Sequence, residues 1–185
     1  MMAVLIVGGI SVSAFGSESN SKATEKPGWF RRVFQRLSWE EVHTVVSDPK
    51  SASAVVRQNI LYQEDLGDTW SSGAETWSRE SGDCEDLAAA VVELVRHLGG
   101  EAEIVIFHPV DSAAGHAVAT GTWNGKQWIS SNGFYYQVQS MKHAAELVAR
   151  EMGWRNRSIA MVRGETDGIS AASNTRTFRP PIVVR

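Results

Sequence analysis

Apolar residues recur at helical spacing in the first half of the chain. The stretch 51–62, SASAVVRQNILY, predicts an amphipathic helix, and Ser38 followed by Glu41 predicts the capped start of a shorter helix before it. The longest apolar stripe begins beside Cys84 and ends at the glycine pair 99–100, a typical helix stop. Its core-facing positions are Leu87, Val91, Leu94, Val95 and Leu98. We therefore expect a helix that starts at the cysteine and is buried along one side.

The second half of the chain changes to the alternation that is typical of strands. EAEIVIFHPV at 101–110 predicts a strand, and 115–133 predicts a hairpin that turns at Asn124–Gly125, a dipeptide suited to a two-residue turn. Ser140 opens a predicted late helix, and SIAMVRG at 158–164 predicts a last strand. Helices followed by an antiparallel sheet indicate the α+β fold class.

Composition divides the chain into four segments. Residues 1–15 are apolar, with small residues near Ser13 and Ala14 where a secretory signal could be cleaved, and they are too short to cross a membrane comfortably. Residues 16–27 predict a linker, and 164–185 predict a disordered tail. The folded domain is expected over 28–163, with a loop-rich stretch at 63–82. We expect an exported protein, periplasmic or extracellular, without stable membrane insertion once the signal is removed; without a signal it would be cytoplasmic.

Overall composition excludes several classes of protein. The chain has 185 residues, of which 43% are hydrophobic, and this suits one domain with a real core. A formal net charge of −3 gives no general attraction to nucleic acid, so no nucleic-acid partner is expected. One cysteine excludes an intramolecular disulfide and a cysteine-rich zinc site.

The single cysteine, Cys84, lies in the first turn of the predicted long helix. The helix dipole and the free N–H groups stabilise a thiolate there, and the same N–H groups can hold an oxyanion during acyl transfer. Such chemistry needs a base. His97 lies about 20 Å away along the same helix, whereas His116 begins the predicted hairpin, which a helix packed on the sheet can bring to the thiol. We expect Cys84 to be the nucleophile and His116 the base.

The partner strand of the hairpin offers two side chains to orient the imidazole. If the two-residue turn pairs Trp123 with Lys126 and the register continues without slip, His116 lies opposite Gly133 and shares its face with Ser131. A bulge or a three-residue loop would bring Asn132 to that face instead. We prefer Asn132, since an amide oxygen accepts from an imidazole N–H, and we keep Ser131 as the alternative.

These residues together resemble the transglutaminase-like superfamily, and most of all its bacterial cysteine proteinases. The resemblance lies in GDCEDLA, in GHAV about thirty residues later, and in the WISSN end of the hairpin, and it covers roughly residues 55–135. Four upstream residues fall in the order of the family: Tyr62, Asp65, Trp70 and Glu75. The resemblance implies a papain-like α+β fold and a Cys-His-Asp or Cys-His-Asn triad. The family usually has an aspartate in the third position, where this chain has the pair Ser131–Asn132.

Three acidic residues, Asp83, Glu85 and Asp86, surround the cysteine, and a negative charge that faces a thiol opposes its ionisation. Asp83 as N-cap and Asp86 in the first turn would be occupied by backbone amides and would point away from the sulfur. Alternatively, the three carboxylates would hold a calcium ion with help from the loop at 65–68. Relatives in the resembled family use calcium beside this stretch, so the resemblance implies that calcium is possible.

The expected function is thiol-dependent acyl transfer, performed by a cysteine peptidase or amidase on protein or peptide amides. The backbone N–H of Cys84, with Trp70 or Trp77, is the candidate oxyanion donor. No cofactor is required. Two alternatives stay open: an inactive peptide-binding module on the same fold, and a protein-crosslinking transglutaminase.

Overall fold

The computed structural model describes residues 36–64 and 70–164, and the backbone of 182–184. The helices are α1 (Trp39–Val45), α2 (Pro49–Asn59), α3 (Gly73–Arg79), α4 (Cys84–His97) and α5 (Met141–Glu151). The strands are β1 (Leu61–Tyr62), β2 (Ser81–Gly82), β3 (Glu101–Pro109), β4 (His116–Trp123), β5 (Lys126–Ser131), β6 (Phe134–Val138), β7 (Ile159–Gly164) and β8 (Ile182–Val184).

An antiparallel sheet of six strands, in the order β6-β5-β4-β3-β7-β8, forms the centre of the fold, and β1 and β2 form a separate parallel pair. Alternate side chains of the sheet belong to two hydrophobic clusters. One cluster joins the sheet to α1–α4 and includes Leu94, Ile104 and Trp128. The other joins it to α5 and includes Phe107 and Val148. The cysteine-bearing helix thus packs against an antiparallel sheet, which confirms the predicted α+β class.

Helix α3 is an element that the sequence analysis missed, because it lies in the stretch taken as loop-rich. Its seven residues are too few for a clear apolar period, but its start is a capping box: the Ser72 side chain accepts from the Glu75 amide, and the Glu75 side chain accepts from the Ser72 amide. The helix buries Trp77 and Thr76. The same arrangement of Ser38 and Glu41 begins α1, as predicted.

Two Asn-Gly turns set the register of the hairpins. Asn124–Gly125 has positive φ angles of 50° and 73°, and Asn132–Gly133 has 46° and 77°. Only the first was predicted, and with it the pair Trp123–Lys126, which is confirmed; the register then continues to Ala119–Ser130 without slip. The second turn leads into β6, a strand that the sequence analysis missed although Asn-Gly signalled it equally well.

The ends of the chain are described only in part. The predicted signal at 1–15 and the predicted linker at 16–27 lie outside the described residues. At 182–184 the prediction of a disordered tail is wrong, because these residues form β8 on the edge of β7; three β-branched residues after a proline pair suit such an edge strand. None of the described helices has the length and apolar character needed to cross a bilayer.

Candidate active site

Cys84 occupies the first position of α4, directly after the N-cap Asp83. The backbone amide of Ala117 contacts the thiol. The sulfur therefore lies beside the peptide that joins His116 to Ala117 in β4. Gly82 permits this tight entry to the helix: a Cβ atom there would lie 2.6 Å from the Cβ of Asp86 and 3.1 Å from Thr76 Cγ2.

The imidazole of His116 is buried and its Nε2 lies 2.8 Å from Ser131 Oγ. The sequence prediction preferred Asn132 as the side chain that contacts the imidazole. As to which side chain makes this contact, that preference is wrong. The reason is the unslipped register, which keeps Ser131 on the His116 face. Asn132 is the first residue of a turn, and its Oδ1 is buried without a hydrogen-bond partner among the described residues. The alternative orienter, Ser131, is the one that touches the ring.

The pKa shifts of Cys84 and His116 both favour the uncharged form of the side chain. Burial, with a smaller contribution from the nearby Asp83 and Glu85 carboxylates, raises the pKa of Cys84 to about 11, while the Ala117 amide acts in the opposite direction. Burial lowers the pKa of His116 to about 4. Both shifts favour the thiol and the neutral imidazole over a thiolate–imidazolium pair.

The acids Asp83 and Asp86 are held by backbone amides, as predicted. Asp83 Oδ1 accepts from the amides of Glu85 and Asp86, at 3.1 and 3.3 Å. Asp86 is 1% exposed; it accepts from the Ser71 amide at 2.9 Å and forms an ion pair with Arg79. Of the three acids, only Asp86 is turned away from the sulfur. The carboxylates of Asp83 and Glu85 lie in one group with the Cys84 sulfur.

The predicted calcium ligands are therefore divided between two sets. Donor atoms of Asp83, Cys84 and Glu85 lie within 4.8 Å of one another, whereas Asp86 is committed to Arg79 and the Ser71 amide. Calcium takes six to eight oxygen ligands. Asp83 and Glu85 alone offer too few, and the loop that carries Asp65 and Asp68 lies outside the described residues.

The predicted tryptophan donors for an oxyanion are placed differently from each other. The indole N–H of Trp77 donates to the Leu37 carbonyl at 2.9 Å, so Trp77 is a structural anchor, and the prediction for it is wrong. Trp70 is partly buried against the α4-side cluster, and its ring approaches Gly164. It has no described contact that brings it to the thiol.

Tyr62 lies near the thiol, a position that the sequence analysis did not predict for it. Strand β1 pairs it with Gly82, two residues before the cysteine. Burial and, to a smaller extent, the nearby Cys84 raise the pKa of Tyr62 to about 12. A protonated phenol close to the sulfur is a hydrogen-bond donor that an oxyanion can use. The resemblance had included Tyr62 only by its place in the family pattern.

A cavity of about 380 Å³ opens beside the thiol. Its walls come from the start of α4, from the end of β3 and from the loop that precedes His116. The lining residues are Cys84, Glu85, Ile106, His108, Ser112, Ala113, Ala114, Gly115 and Ala117. The thiol is therefore accessible to a small ligand from the side of the 112–115 loop.

Fold and site define a papain-like α+β domain with a cysteine at a helix N-terminus and a histidine at the start of the adjoining strand. The model of the transglutaminase-like superfamily matches residues 37–132, just over half of the chain, and the chain belongs to that superfamily. This membership confirms the resemblance found in the sequence. The superfamily is one of thiol-dependent enzymes.

Two solved structures of Legionella pneumophila LapG are similar to this chain. The first is 16% identical, covers 59% of this chain and 73% of LapG, and has a TM-score of 0.46. The calcium-bound form is 16% identical, covers 60% and 74% respectively, and has the same TM-score of 0.46. A comparison with curated protein sequences gave no significant match.

Proposed function

We propose that this protein is a cysteine peptidase or amidase that acts on protein or peptide amides, with Cys84 as nucleophile and His116 as general base. The observation that carries the proposal is the alignment of three groups. The thiol at the start of α4 touches the Ala117 amide, the residue before Ala117 is His116, and His116 contacts Ser131. A nucleophile, a base and an orienter in this order are the constellation of acyl-transfer enzymes.

The proposed reaction starts from the neutral pair. Nε2–H of His116 donates to Ser131 Oγ, and Nδ1 accepts the thiol proton while the sulfur attacks the amide carbonyl. The oxyanion of the tetrahedral intermediate accepts from the backbone N–H of Cys84 and from Tyr62. The C–N bond then breaks, and the departing amine takes the proton from the imidazolium. Water hydrolyses the thioester, which releases the acid and restores the thiol.

Ser131 gives this mechanism its particular character. A carboxylate would stabilise the imidazolium by its charge, whereas a serine hydroxyl orients the ring without a charge. Proton transfer to His116 therefore depends on the attack itself, and the thiol is not ionised beforehand. We expect a slow enzyme that does not react readily with alkylating agents at neutral pH.

A second candidate function is an inactive module that grips a peptide in the same cleft. The raised pKa of Cys84, the lowered pKa of His116 and the neutral Ser131 favour it. A crosslinking transglutaminase is the third. It would use the same thioester but pass the acyl group to a lysine amine instead of water.

One experiment separates these functions. The protein is incubated with fluorescein-labelled casein, and separately with unlabelled casein and dansylcadaverine; peptide release and amine incorporation are both measured. We expect release without incorporation. We also expect no release with Cys84→Ala, and a rate lowered about 10²–10⁴-fold with His116→Ala. The exposed His97, exchanged for glutamine, is the matched control and should retain full activity.

The result that would overturn the proposal is release that persists in Cys84→Ala, or none at all at any pH between 5 and 10. The second outcome would favour the binding module, which is then checked by retention of casein on the immobilised protein. Dansylcadaverine incorporation would favour the transglutaminase.

The proposal assigns this activity to the domain expected over residues 28–163, exported by means of residues 1–15. Calcium supplies no step in it. If calcium binds, Asp83 and Glu85 are the carboxylates that would hold it, with further oxygens from outside their group. It would there offset the negative charge near the thiol, and this would favour ionisation of the sulfur.

A further inference from the structure

A second concave site, which we call the α5 groove, lies on the α5 face of the sheet, whereas Cys84 packs on the other face. One bank is formed by α5 and the other by the loop at 154–158, and the groove holds about 730 Å³. The loop leaves α5 in a tight turn: Gly153 has a φ of 72°, and the Trp154 amide donates to the Ala149 carbonyl at 2.7 Å. Both banks therefore belong to one closed turn of the chain.

The floor of the α5 groove is apolar. Ala145 and Ile159 are buried in it, and Ala149 and Trp154 are half-buried. Trp154 packs against the hydrophobic cluster that joins the sheet to α5, and this contact fixes the place of its ring. Such a floor favours a ligand that brings an apolar side chain over a small hydrated ion.

The banks of the α5 groove carry an excess of positive charge. Of the described residues that line it, four are basic and one is acidic: Lys142, Arg150, Arg155, Arg157 and Glu146. Lys142 lies 3.8 Å from Glu146, and Arg157 pairs with Asp111 at 2.6 Å. Within the described part of the chain, neither Arg150 nor Arg155 pairs with a carboxylate. Two guanidinium groups are therefore available to an anionic ligand.

The helix dipole does not account for this excess. A cation in the last turn of a helix is stabilised by the carbonyl groups there, and this explains Arg150 in α5. The effect falls off beyond the last turn. Arg155 and Arg157 follow the end of α5 and lie on the opposite bank. Their charges therefore face the groove without serving the helix.

We propose that the α5 groove docks an acidic segment of a partner protein, with its carboxylates against Arg150 and Arg155 and an apolar side chain on the floor at Trp154. The planar fork of a guanidinium matches a carboxylate with two parallel hydrogen bonds. The inference goes beyond the proposed function, because it holds whether or not Cys84 turns over a substrate.

Size and shape favour a short peptide over other anionic partners. Lys142 and Arg150 are separated along α5 by about 12 Å, at 1.5 Å per residue. An extended peptide covers that length with about four residues. The planar surface of a bilayer does not enter a groove. A long nucleic acid would extend beyond the groove over a chain whose formal net charge is −3, which repels it.

Isothermal titration calorimetry with the full chain tests the docking site. The probe is an acetylated pentapeptide amide with two glutamates on each side of a leucine, and its glutamine counterpart has the same size without charge. We expect the glutamate peptide to bind about tenfold or more tightly at low salt, and the difference should shrink as salt is added. Cys84→Ala should bind both peptides as the parent does.

Four variants locate the binding. Arg150→Gln and Arg155→Gln each remove one charge from an exposed bank, and each should weaken the glutamate peptide about threefold while the glutamine peptide is unaffected. Glu146→Gln removes the lining carboxylate and should strengthen binding of the glutamate peptide. Lys50→Gln is the matched control: it removes the same charge from an exposed position on α2, the side of the sheet opposite to α5, and should change neither affinity.

Equal affinities for the two peptides would overturn the docking site, and so would a preference that both arginine variants retain. A preference that Lys50→Gln lowers as much as they do would reveal a general attraction and would overturn it too. A thymidine oligonucleotide and phosphatidylserine vesicles are titrated in parallel; tighter binding of either, weakened by Arg155→Gln, would reject the peptide as the occupant. Since the binding is also measured in Cys84→Ala, its result is independent of casein cleavage.

Discussion

The two sides of the candidate site differ in the charged groups that they contain. On the helix side, each carboxylate is occupied: Asp83 accepts from two backbone amides, and Asp86 accepts from Arg79 and the Ser71 amide. On the hairpin side, His116 and Ser131 are neutral and hydrogen bonded to each other. The helix side thus has formal charges beside the nucleophile, while the hairpin side has none beside the base.

This difference explains the resting state of the pair. The carboxylates near the sulfur add to burial in raising the pKa of Cys84, and no anion near the ring opposes burial in lowering the pKa of His116. The acids beside the cysteine serve the helix and its ion pair with Arg79, and they do not activate the thiol. When acidic residues lie next to a nucleophile in the sequence, helix capping and local ion pairs are therefore the first explanation, and a catalytic role is the second.

The largest effect should come from removing the buried charge on the helix side. Asp86→Ala leaves the Ser71 amide and Arg79 without their acceptor, and broken buried ion pairs cost about 3–5 kcal/mol. We expect about 3 kcal/mol in the free energy of unfolding, at the low end of that range, because the Arg79 side chain is 48% exposed and can turn to water. Urea denaturation followed by tryptophan fluorescence measures it.

The matched control is Glu146→Ala, which removes an exposed carboxylate 3.8 Å from Lys142 on α5. Exposed ion pairs contribute about 0–1 kcal/mol. If the two variants lose equal stability, the buried carboxylate has no special role and the contrast between the two sides of the site is refuted.

A negative charge added on the hairpin side should change the pKa of the proposed base, His116. In the parent protein His116 titrates near pH 4, below its ordinary value of 6.5, so the unfolded chain binds more protons between these pH values. The free energy of unfolding therefore falls as the pH drops from 6.5 to 4. Ser131→Asp places a carboxylate against the imidazolium and should raise the pKa of His116 by about 1–3 units. This change reduces or reverses the loss of stability in acid.

NMR titration of the His116 ring protons measures this pKa, and the pH dependence of urea denaturation gives the linked stability. Ser131→Ala is the neutral control: it removes the contact without adding charge, and the low pKa should persist. A Ser131→Asp variant in which the ring still titrates near pH 4 would show that Ser131 does not face it in solution. The casein assay should then show no gain in rate over the parent.

Most of the fold could be predicted from periodicity and caps. The stripe from Leu87 to Leu98 and the glycine pair after it define α4, and one Asn-Gly turn defines the β4–β5 register. Strand β6 was missed although its Asn-Gly turn is as clear as the first, whereas two other elements had weaker signals. Helix α3 is too brief to show a period, and β8 forms only because β7 offers it an edge. Pairing with a strand distant in sequence cannot be read from three residues.

The positions of Cys84 and His116 in the fold could be predicted, whereas the side chain that contacts His116 was misjudged. Cys84 and His116 follow from the helix start and the strand start. The register already favoured Ser131, and the chemical preference for an amide over a hydroxyl led away from it. The partners of Asp86 could not be predicted, since Arg79 and the Ser71 amide are set by the packing of α3 on α4.

The smallest effect, and the one that separates folding from chemistry on the hairpin side, concerns the two Asn-Gly turns. Asn132 and Asn124 have nearly equal positive φ angles, 46° and 50°, and a side chain other than asparagine or glycine is strained there. If Asn132 serves only its turn, Asn132→Ala and Asn124→Ala should each cost about 1 kcal/mol of unfolding free energy, measured by urea denaturation. Neither should move the pKa of His116. A catalytic orienter would behave differently: Asn132→Ala would then lower casein cleavage far more than Asn124→Ala at equal stability. Gly133, the second residue of that turn, packs closely on α2: a Cβ atom there would lie 2.5 Å from the Cβ of Arg57.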